Sequence, residues 1–234
     1  MSRVKNTKKY ENFVSWDSRY KGNFDKDELV VHKYFFENVF RNKQNGFIID
    51  IGANDGVTIS HSLPFIDKGW SALMIEPNPL LFNKMKDLYS HIDDVVCVNL
   101  AVDKHKSDNV ELYLGSNSHQ GHSTIVFSET QYSYSGQYFS DERVIVQSDT
   151  LNNILHECKI EKHIDILHID AEGKTLDILE SFDFDKRRPS YISADILTQD
   201  FDPHRHRLIE LMEASQYKFI LSQGQSIWKD SNEN

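Results

Sequence analysis

Short apolar runs that end at a polar residue recur along the chain, with more mixed segments between them. The clearest runs are residues 47–49, which lead into Asp50, and residues 71–75, which lead into Glu76. Continuous apolar runs of this length are typical of strands that are buried on both faces of a parallel sheet. Together with a glycine turn and a crossover helix predicted over residues 57–68, these two strands form a βαβ unit.

The same pattern extends the fold on both sides of this unit. A helix is predicted over residues 25–40, and a closing hairpin over residues 217–228 is divided by Gly224. The sequence therefore predicts an α/β fold with one mostly parallel sheet, helices on both faces and an antiparallel final pair of strands. Further strands are predicted at residues 94–98, 164–169 and 191–195, and further helices at residues 78–89, from 150 and from 203.

Length and composition predict how the chain is organised. With 234 residues, the chain is long enough for one domain with a substantial core. Residues 1–24 are polar with scattered aromatic side chains and are predicted to be an N-terminal extension, so that residues 25–234 form the single domain. Within it, residues 104–149 contain strand-like runs at residues 110–114, 124–127 and 143–147, separated by segments rich in Ser, Gly, Gln and Tyr. We expect a β-rich insertion that borders the active site.

Two histidines of this insertion, His119 and His122, are candidate substrate-binding residues. They lie on either side of Gly121 and could contact the substrate or serve as a base. A solvated polar loop accounts for them equally well. A zinc site is not expected there, because neither an H-x-E nor a C-x-x-C pattern accompanies them.

The turn after the first strand indicates which nucleotide the unit binds. A dinucleotide site needs the pattern G-x-G-x-x-G, but Asn54 and Val57 stand where the second and third glycines belong. Asp50, just before the turn, would repel a pyrophosphate and suits a cationic ligand that carries an amino acid. Glu76 lies about twenty residues beyond the turn, where an acid can reach a ribose diol. These features favour S-adenosylmethionine, and the alternative is a glycine turn that binds nothing.

Three stretches taken together resemble the FkbM family of S-adenosylmethionine-dependent methyltransferases. They are DIGANDG at residues 50–56, GWSALMIEPNP at residues 69–79 and IDILHIDAEGKTLDIL at residues 164–179. The resemblance implies the Rossmann-like class I methyltransferase fold, with a seven-stranded sheet, and usually methylation of a hydroxyl on a sugar or polyketide. It also implies a set of cofactor-binding residues, namely Asp50, Gly52, Asn54, Asp55, Gly56, Glu76, Pro77, Ala101 and Asp170.

Within that fold, each group of residues would meet a different part of the cofactor. Gly52 and the turn at residues 54–56 would seat the methionine part, and Glu76 would hold the ribose. Residues 99–102, which follow the third strand, would flank the adenine, although they could equally be plain core.

Acidic residues follow two of the later strands. Asp170 and Glu172 come after the strand that contains His168, and Asp195 ends the next strand. Such acids can deprotonate a hydroxyl, orient it or bind a divalent cation. Asp170, Glu172 and Asp195 are therefore the predicted catalytic residues, either without a metal or as ligands of Mg²⁺ or Mn²⁺. Glu172 could also cap the following helix, the family pattern more often has Glu at the position of Asp195, and His168 is expected to be a core histidine.

Charge and cysteine content narrow the expected partners and compartment. The formal net charge of −10 argues against a nucleic acid or an anionic membrane as the main partner. Cys97 and Cys158 are predicted to be free thiols, which suits a reducing compartment. The N-terminus lacks an apolar core of signal-peptide length, and no apolar run is long enough to span a membrane. A cytoplasmic location is therefore expected.

The sequence thus predicts an S-adenosylmethionine-dependent methyltransferase that methylates a hydroxyl of a carbohydrate or small natural product. N-methylation is an alternative, because an acidic cluster could also bind a cationic amine. A non-catalytic binding protein with the same fold is a further alternative. The sequence leaves open which acceptor is methylated, whether a metal is needed and what the oligomeric state is.

Overall fold

The computed structural model describes residues 33–115, 123–125, 139–171, 173–195, 203–223 and 225–233. The predicted N-terminal extension, the first part of the helix at residues 25–40 and the site candidates His119, His122 and Glu172 lie outside these residues. The first described element is a π-helical segment, Tyr34–Val39.

The strands of the described chain form two sheets. They are β1 (Phe47–Ile51), β2 (Ser71–Ile75), β3 (Val95–Val98), β4 (Ala101–Val102), β5 (Ser107–Gly115), β6 (Phe139–Asp149), β7 (Ile166–Ile169), β8 (Tyr191–Asp195), β9 (Tyr217–Gln223) and β10 (Gln225–Asp230). The larger sheet has seven strands in the order β3-β2-β1-β7-β8-β10-β9. The pairs β8–β10 and β10–β9 are antiparallel and the other pairs of this sheet are parallel, which confirms the predicted mostly parallel sheet with an antiparallel final hairpin.

Helices cover both faces of the larger sheet, as predicted. They are α1 (Leu63–Lys68), α2 (Pro79–Tyr89), α3 (Leu151–Glu157), α4 (Thr175–Ser181) and α5 (Pro203–Ala214). Successive side chains of a strand point to opposite faces of the sheet. Ile49 of β1 therefore packs in one buried cluster with Leu155 of α3, whereas Ile48 packs in another with Phe65 of α1 and Met85 of α2. The two clusters form one apolar layer on each side of the sheet.

The prediction that the crossover helix begins at Val57 was wrong. The Asp55 carboxylate accepts hydrogen bonds from the backbone N–H groups of Val57 and Thr58, and Ile59 has a left-handed φ of 54°. Asp55 accepts these bonds as a helix N-cap does, but a left-handed residue cannot continue a helix, so α1 begins only at Leu63. Pro64 lies in its first turn, where the missing N–H of proline costs nothing.

A second sheet, in the order β4-β6-β5, is built from the predicted β-rich insertion and the residues before it. β5 and β6 are antiparallel, so the strands predicted at residues 110–114 and 143–147 are confirmed and extend further. Thr124 pairs with Tyr113 as a single antiparallel bridge. The apolar side of this sheet, which includes Leu112 and Val146, packs on Ala101. Ala101 belongs to β4 of this same sheet, and its neighbour Val102 packs in the buried cluster of the larger sheet that contains Ile49. β4 therefore brings the second sheet to the edge of the larger one.

At the start of the turn after β1, the backbone of Gly52 lies against the chain that leaves β7. Gly52 has a φ of 84°, and a Cβ atom there would lie 1.9 Å from the carbonyl oxygen of Asp170. We expect Gly52→Ala to lower the free energy of unfolding by about 3 kcal/mol. The alanine would be strained at a left-handed φ, and its Cβ atom would also displace the backbone at Asp170.

Urea unfolding of the purified variants measures this difference. Gly69→Ala is the control for the backbone conformation, since Gly69 also has a positive φ, of 109°, but ends α1. It should cost about 1 kcal/mol. Equal losses in the two variants would contradict the close approach at Gly52.

Candidate functional site

A cavity opens at the carboxyl ends of β1, β2 and β7. In open α/β sheets, ligands bind at this end where the strand order reverses, as it does between β1 and β7. Counted with its solvent-open mouth, the cavity has a volume of about 970 Å³. Most of the predicted cofactor-binding residues line it, namely Asp50, Gly52, Asn54, Glu76, Pro77, Ala101 and Asp170.

The other two predicted cofactor residues, Asp55 and Gly56, are not among the residues that line the cavity. Asp55 instead accepts the hydrogen bonds that shape the turn, including one of 3.0 Å from the Thr58 hydroxyl. The Gly56 carbonyl accepts a hydrogen bond of 2.7 Å from the buried Tyr89 hydroxyl. The hydrogen bonds of both residues stabilise the turn. Their contact with a cofactor remains a prediction.

Glu76 is the acid that the backbone positions most tightly. Its side chain is buried, and its two carboxylate oxygens accept hydrogen bonds from the backbone N–H groups of Asn54, at 2.9 Å, and Asn78, at 2.8 Å. The Asn99 amide donates to the carbonyl oxygens of Glu76 and Pro77. Burial raises the pKa of Glu76 to about 7, although the two backbone hydrogen bonds oppose the rise. The glycine turn and the strand end at β2 are thus joined through one carboxyl group.

Asp50 is a second buried acid of the cavity. Only 2% of its surface is exposed, and it accepts a hydrogen bond from the Ser62 hydroxyl. Burial raises the pKa of Asp50 to about 6. A site with two such acids favours a ligand group that carries positive charge or donates hydrogen bonds.

His168 was expected to be a core histidine, and it is buried, but it also lines the cavity. It lies opposite Asp50 in the register of β1 and β7. The His61 ring stacks on it with 3.9 Å between the ring centroids. Burial lowers the pKa of His61 to about 3, so its imidazole is neutral at pH 7. His61 was not among the predicted site residues, because it lies in the stretch predicted as the crossover helix.

The predicted catalytic acids are only partly brought together among the described residues. Asp170 lines the cavity, whereas Asp195 does not. Asp170 and Asp195 each come directly after one residue of the pair Ile169 and Ala194, which lie opposite each other on β7 and β8. Burial raises the pKa of Asp195 to about 6. Within the described ranges, no group of three or more His, Cys, Asp or Glu residues is placed to hold a metal ion. Glu172 lies outside those ranges, so the metal prediction stays untested.

Other residues that line the cavity were not among the predicted site residues. Lys174 lines the cavity, and its ammonium forms ion pairs with Asp103, at 3.0 Å, and Asp177, at 2.9 Å. Two further residues, Leu112 and Ile125, reach the cavity from the second sheet. Their sequence context carries no signal of a site, since alternating strands are as common in plain sheets.

Two further sequence predictions concern the rest of the described chain. Cys97 and Cys158 are half-buried free thiols, as predicted. None of the described helices combines the length and the apolar character needed to cross a membrane.

Comparison with known proteins places the fold and the motifs in one family. The profile of the Methyltransferase FkbM domain matches residues 50–219. The crystal structure of methyltransferase FkbM from Methylobacillus flagellatus KT is similar, with a TM-score of 0.51 and 11% identity over 94% of this chain and 59% of that one. The METTL16 MTase domain also has a TM-score of 0.51, with 15% identity over 87% of this chain and 67% of that one.

These structural likenesses support a shared Rossmann-like methyltransferase fold, and at such low identity they show nothing beyond the fold. The chain spans 59% of the length of the M. flagellatus protein. No curated protein sequence matches the chain.

The raised pKa values of Glu76 and Asp50 predict how stability depends on pH. Unfolded carboxyl groups titrate near pH 4, so the folded state binds these protons more tightly. The free energy of unfolding is therefore expected to fall as pH rises from about 4 to about 7. In Glu76→Gln, which stays uncharged, the fall between about pH 5 and pH 7.5 should be about 2 kcal/mol smaller than in the wild type.

Urea unfolding at the two pH values measures this change. Glu157→Gln, at a side chain that is 78% exposed, should keep the wild-type pH dependence. An equal fall in the wild type and Glu76→Gln would mean that Glu76 is ionised in the folded protein well below pH 7.

Proposed function

Because the chain belongs to the family of the Methyltransferase FkbM domain, we propose that it binds S-adenosylmethionine in this cavity and transfers the methyl group to a hydroxyl. A carbohydrate or small natural product is the proposed acceptor. The observation that carries the proposal is Glu76, a buried acid held by backbone N–H groups beside the glycine turn. We further propose that residues 25–234 act as one catalytic domain, with residues 104–149 as its insertion.

The proposed cofactor contacts follow the chemistry of the cavity. Each Glu76 oxygen accepts one backbone hydrogen bond, and a carboxylate has further lone pairs for the two ribose hydroxyls. Gly52 and Asn54 would seat the methionine part. The nearby carboxyl groups of Asp50 and Asp170 suit its ammonium and sulfonium charges. Ala101 and its neighbours after β3 would flank the adenine.

The proposed reaction is an in-line displacement. The methyl carbon leaves the sulfonium sulfur as its bond to the acceptor oxygen forms, and the hydroxyl proton passes to a base. Most of the rate enhancement in such a reaction comes from positioning the two reactants. Asp170 is the first candidate for the base, because it lines the cavity. Asp195 and Glu172 are the other candidates, and all three would be needed to hold Mg²⁺ or Mn²⁺.

Calorimetric titration with S-adenosylhomocysteine tests the cofactor site. We expect saturable binding to the wild type and at least about tenfold weaker binding to Glu76→Ala, since hydrogen bonds to a charged group contribute about 1.5–3 kcal/mol. Glu157→Ala, on the exposed surface of α3, should bind like the wild type. Absence of binding to the folded wild-type protein would overturn the proposed function.

Release of S-adenosylhomocysteine from S-adenosylmethionine tests the reaction. The assay would include methyl glycosides, polyhydroxylated small molecules and primary amines, each with and without Mg²⁺. Asp170→Asn is expected to lower kcat by a factor of about 10² to 10⁴, the usual contribution of a general base, and to change S-adenosylhomocysteine affinity far less. A larger loss of affinity than of kcat would assign Asp170 to cofactor binding. Transfer to amines alone would replace O-methylation with N-methylation.

A further inference from the structure

We propose that the second sheet forms one wall of the cofactor pocket, with Leu112 and Ile125 covering the adenine side. Ser123 precedes the bridge residue Thr124 and accepts a hydrogen bond from Asn78. It would fix the position of this wall relative to Glu76. The inference deepens the proposed function and rests on it. It assigns nucleoside binding to residues from the insertion, which the motifs of the chain do not include.

The cavity has an apolar and a polar part. Leu100, Ala101 and Val102, which follow β3, line it together with Leu112 and Ile125 of the second sheet. Elsewhere its lining mixes apolar residues such as Ile51 and Ile75 with charged and polar side chains, among them Asp50, His61, His168 and Asp170. A flat, uncharged base is best accommodated between apolar side chains, and the charged methionine part among polar ones. The adenine is therefore assigned to the space between the β3 end and the second sheet.

The backbone pairing places the two apolar side chains of this wall next to each other. Tyr113 and Thr124 exchange hydrogen bonds of 2.9 and 3.0 Å as an antiparallel pair. In such a pair, the preceding residue of one segment lies opposite the following residue of the other. Leu112 therefore lies opposite Ile125, on the side of the sheet away from Tyr113. Both belong to the apolar cluster that contains Ala101.

A chain of hydrogen bonds joins this wall to the ribose acid. The Asn78 amide donates to the Ser123 hydroxyl at 3.4 Å, and the Asn78 backbone N–H donates to Glu76 at 2.8 Å. The side-chain oxygen of Asn78 accepts from the backbone N–H of Leu80 and so caps α2. Asn78 is buried, and its orientation is set from both sides. The position of Ser123 is thereby coupled to that of Glu76.

An ion pair also holds the second sheet in place. Asp103, directly after β4, forms an ion pair of 3.0 Å with Lys174, whose side chain is only 15% exposed. Lys174 precedes α4 and lines the cavity. The base of the second sheet is thus attached to the larger sheet by Val102 of β4, which packs in the cluster that contains Ile49, and by this ion pair. A wall fixed at these points can present Leu112 and Ile125 to a ligand without first becoming ordered.

Calorimetric titration of Ile125→Ala with S-adenosylhomocysteine and with adenosine tests the inference. Removing most of an apolar side chain from a contact with the base should weaken binding about tenfold. The factor should be the same for the two ligands, because both carry the adenine. Ser123→Ala is the second variant, and S-adenosylhomocysteine should bind to it a few-fold more weakly. Ile145→Ala, in the same sheet at a side chain that is 60% exposed, is the matched control and should bind like the wild type.

The outcomes of these titrations distinguish a failure of the inference from a failure of the proposed function. If the wild type binds S-adenosylhomocysteine and Ile125→Ala binds both ligands within twofold of the wild type, the wall does not cover the adenine and the inference is overturned. If Ile125→Ala weakens S-adenosylhomocysteine but not adenosine, the wall contacts the methionine part, and the assignment to adenine is wrong. If the folded wild type binds neither ligand, the proposed function fails and the inference fails with it. Urea midpoints of the variants show whether each one is folded.

Discussion

The site depends on the close approach of two backbones where the strand order of the larger sheet reverses. Gly52 follows β1 with a left-handed φ of 84°, and a side chain there would collide with the carbonyl oxygen of Asp170. The Gly52 and Ala53 N–H groups donate to the Ile75 carbonyl, which keeps the turn beside the end of β2. Because three strand ends meet at this point, residues far apart in sequence line one cavity. Without a glycine at this position, the chain could not bring Asp170 next to the turn.

Burial of acidic groups is the second constraint on the site. Asp50 and Glu76 are both nearly inaccessible, and burial raises the pKa of each carboxyl group. Hydrogen bonds from Ser62 and from two backbone N–H groups offset part of the cost of burying them. Groups of this kind destabilise the unliganded fold at neutral pH, and a ligand that donates hydrogen bonds or carries positive charge would relieve that cost. A cost of burial that a bound ligand relieves is what a binding site is expected to show.

The second sheet contributes part of the lining of the cavity. The larger sheet and its glycine turn present both polar and apolar groups, and Leu112 and Ile125 add an apolar surface from the second sheet. The hydrogen bond between Asn78 and Ser123 connects that surface to the residue that also holds Glu76. In this arrangement the insertion and the methyltransferase-like sheet share one cavity, so changes in the insertion would be felt at the proposed cofactor site. Lys174 adds an electrostatic link between the same two parts.

The sequence by itself determined the parallel strands, the helix that becomes α2 and the acids at strand ends, because these depend on local periodicity and on residues close in the chain. It also carried the motif that places Glu76 near the glycine turn. The start of α1 was misjudged, because the left-handed Ile59 interrupts a stretch whose apolar pattern and whose cap at Asp55 both suit a helix. Only the tertiary structure decided that His61 stacks on His168 and that Leu112 and Ile125 meet the cavity. These contacts join residues more than ten positions apart, and strand order and sheet packing, which no local pattern encodes, bring them together.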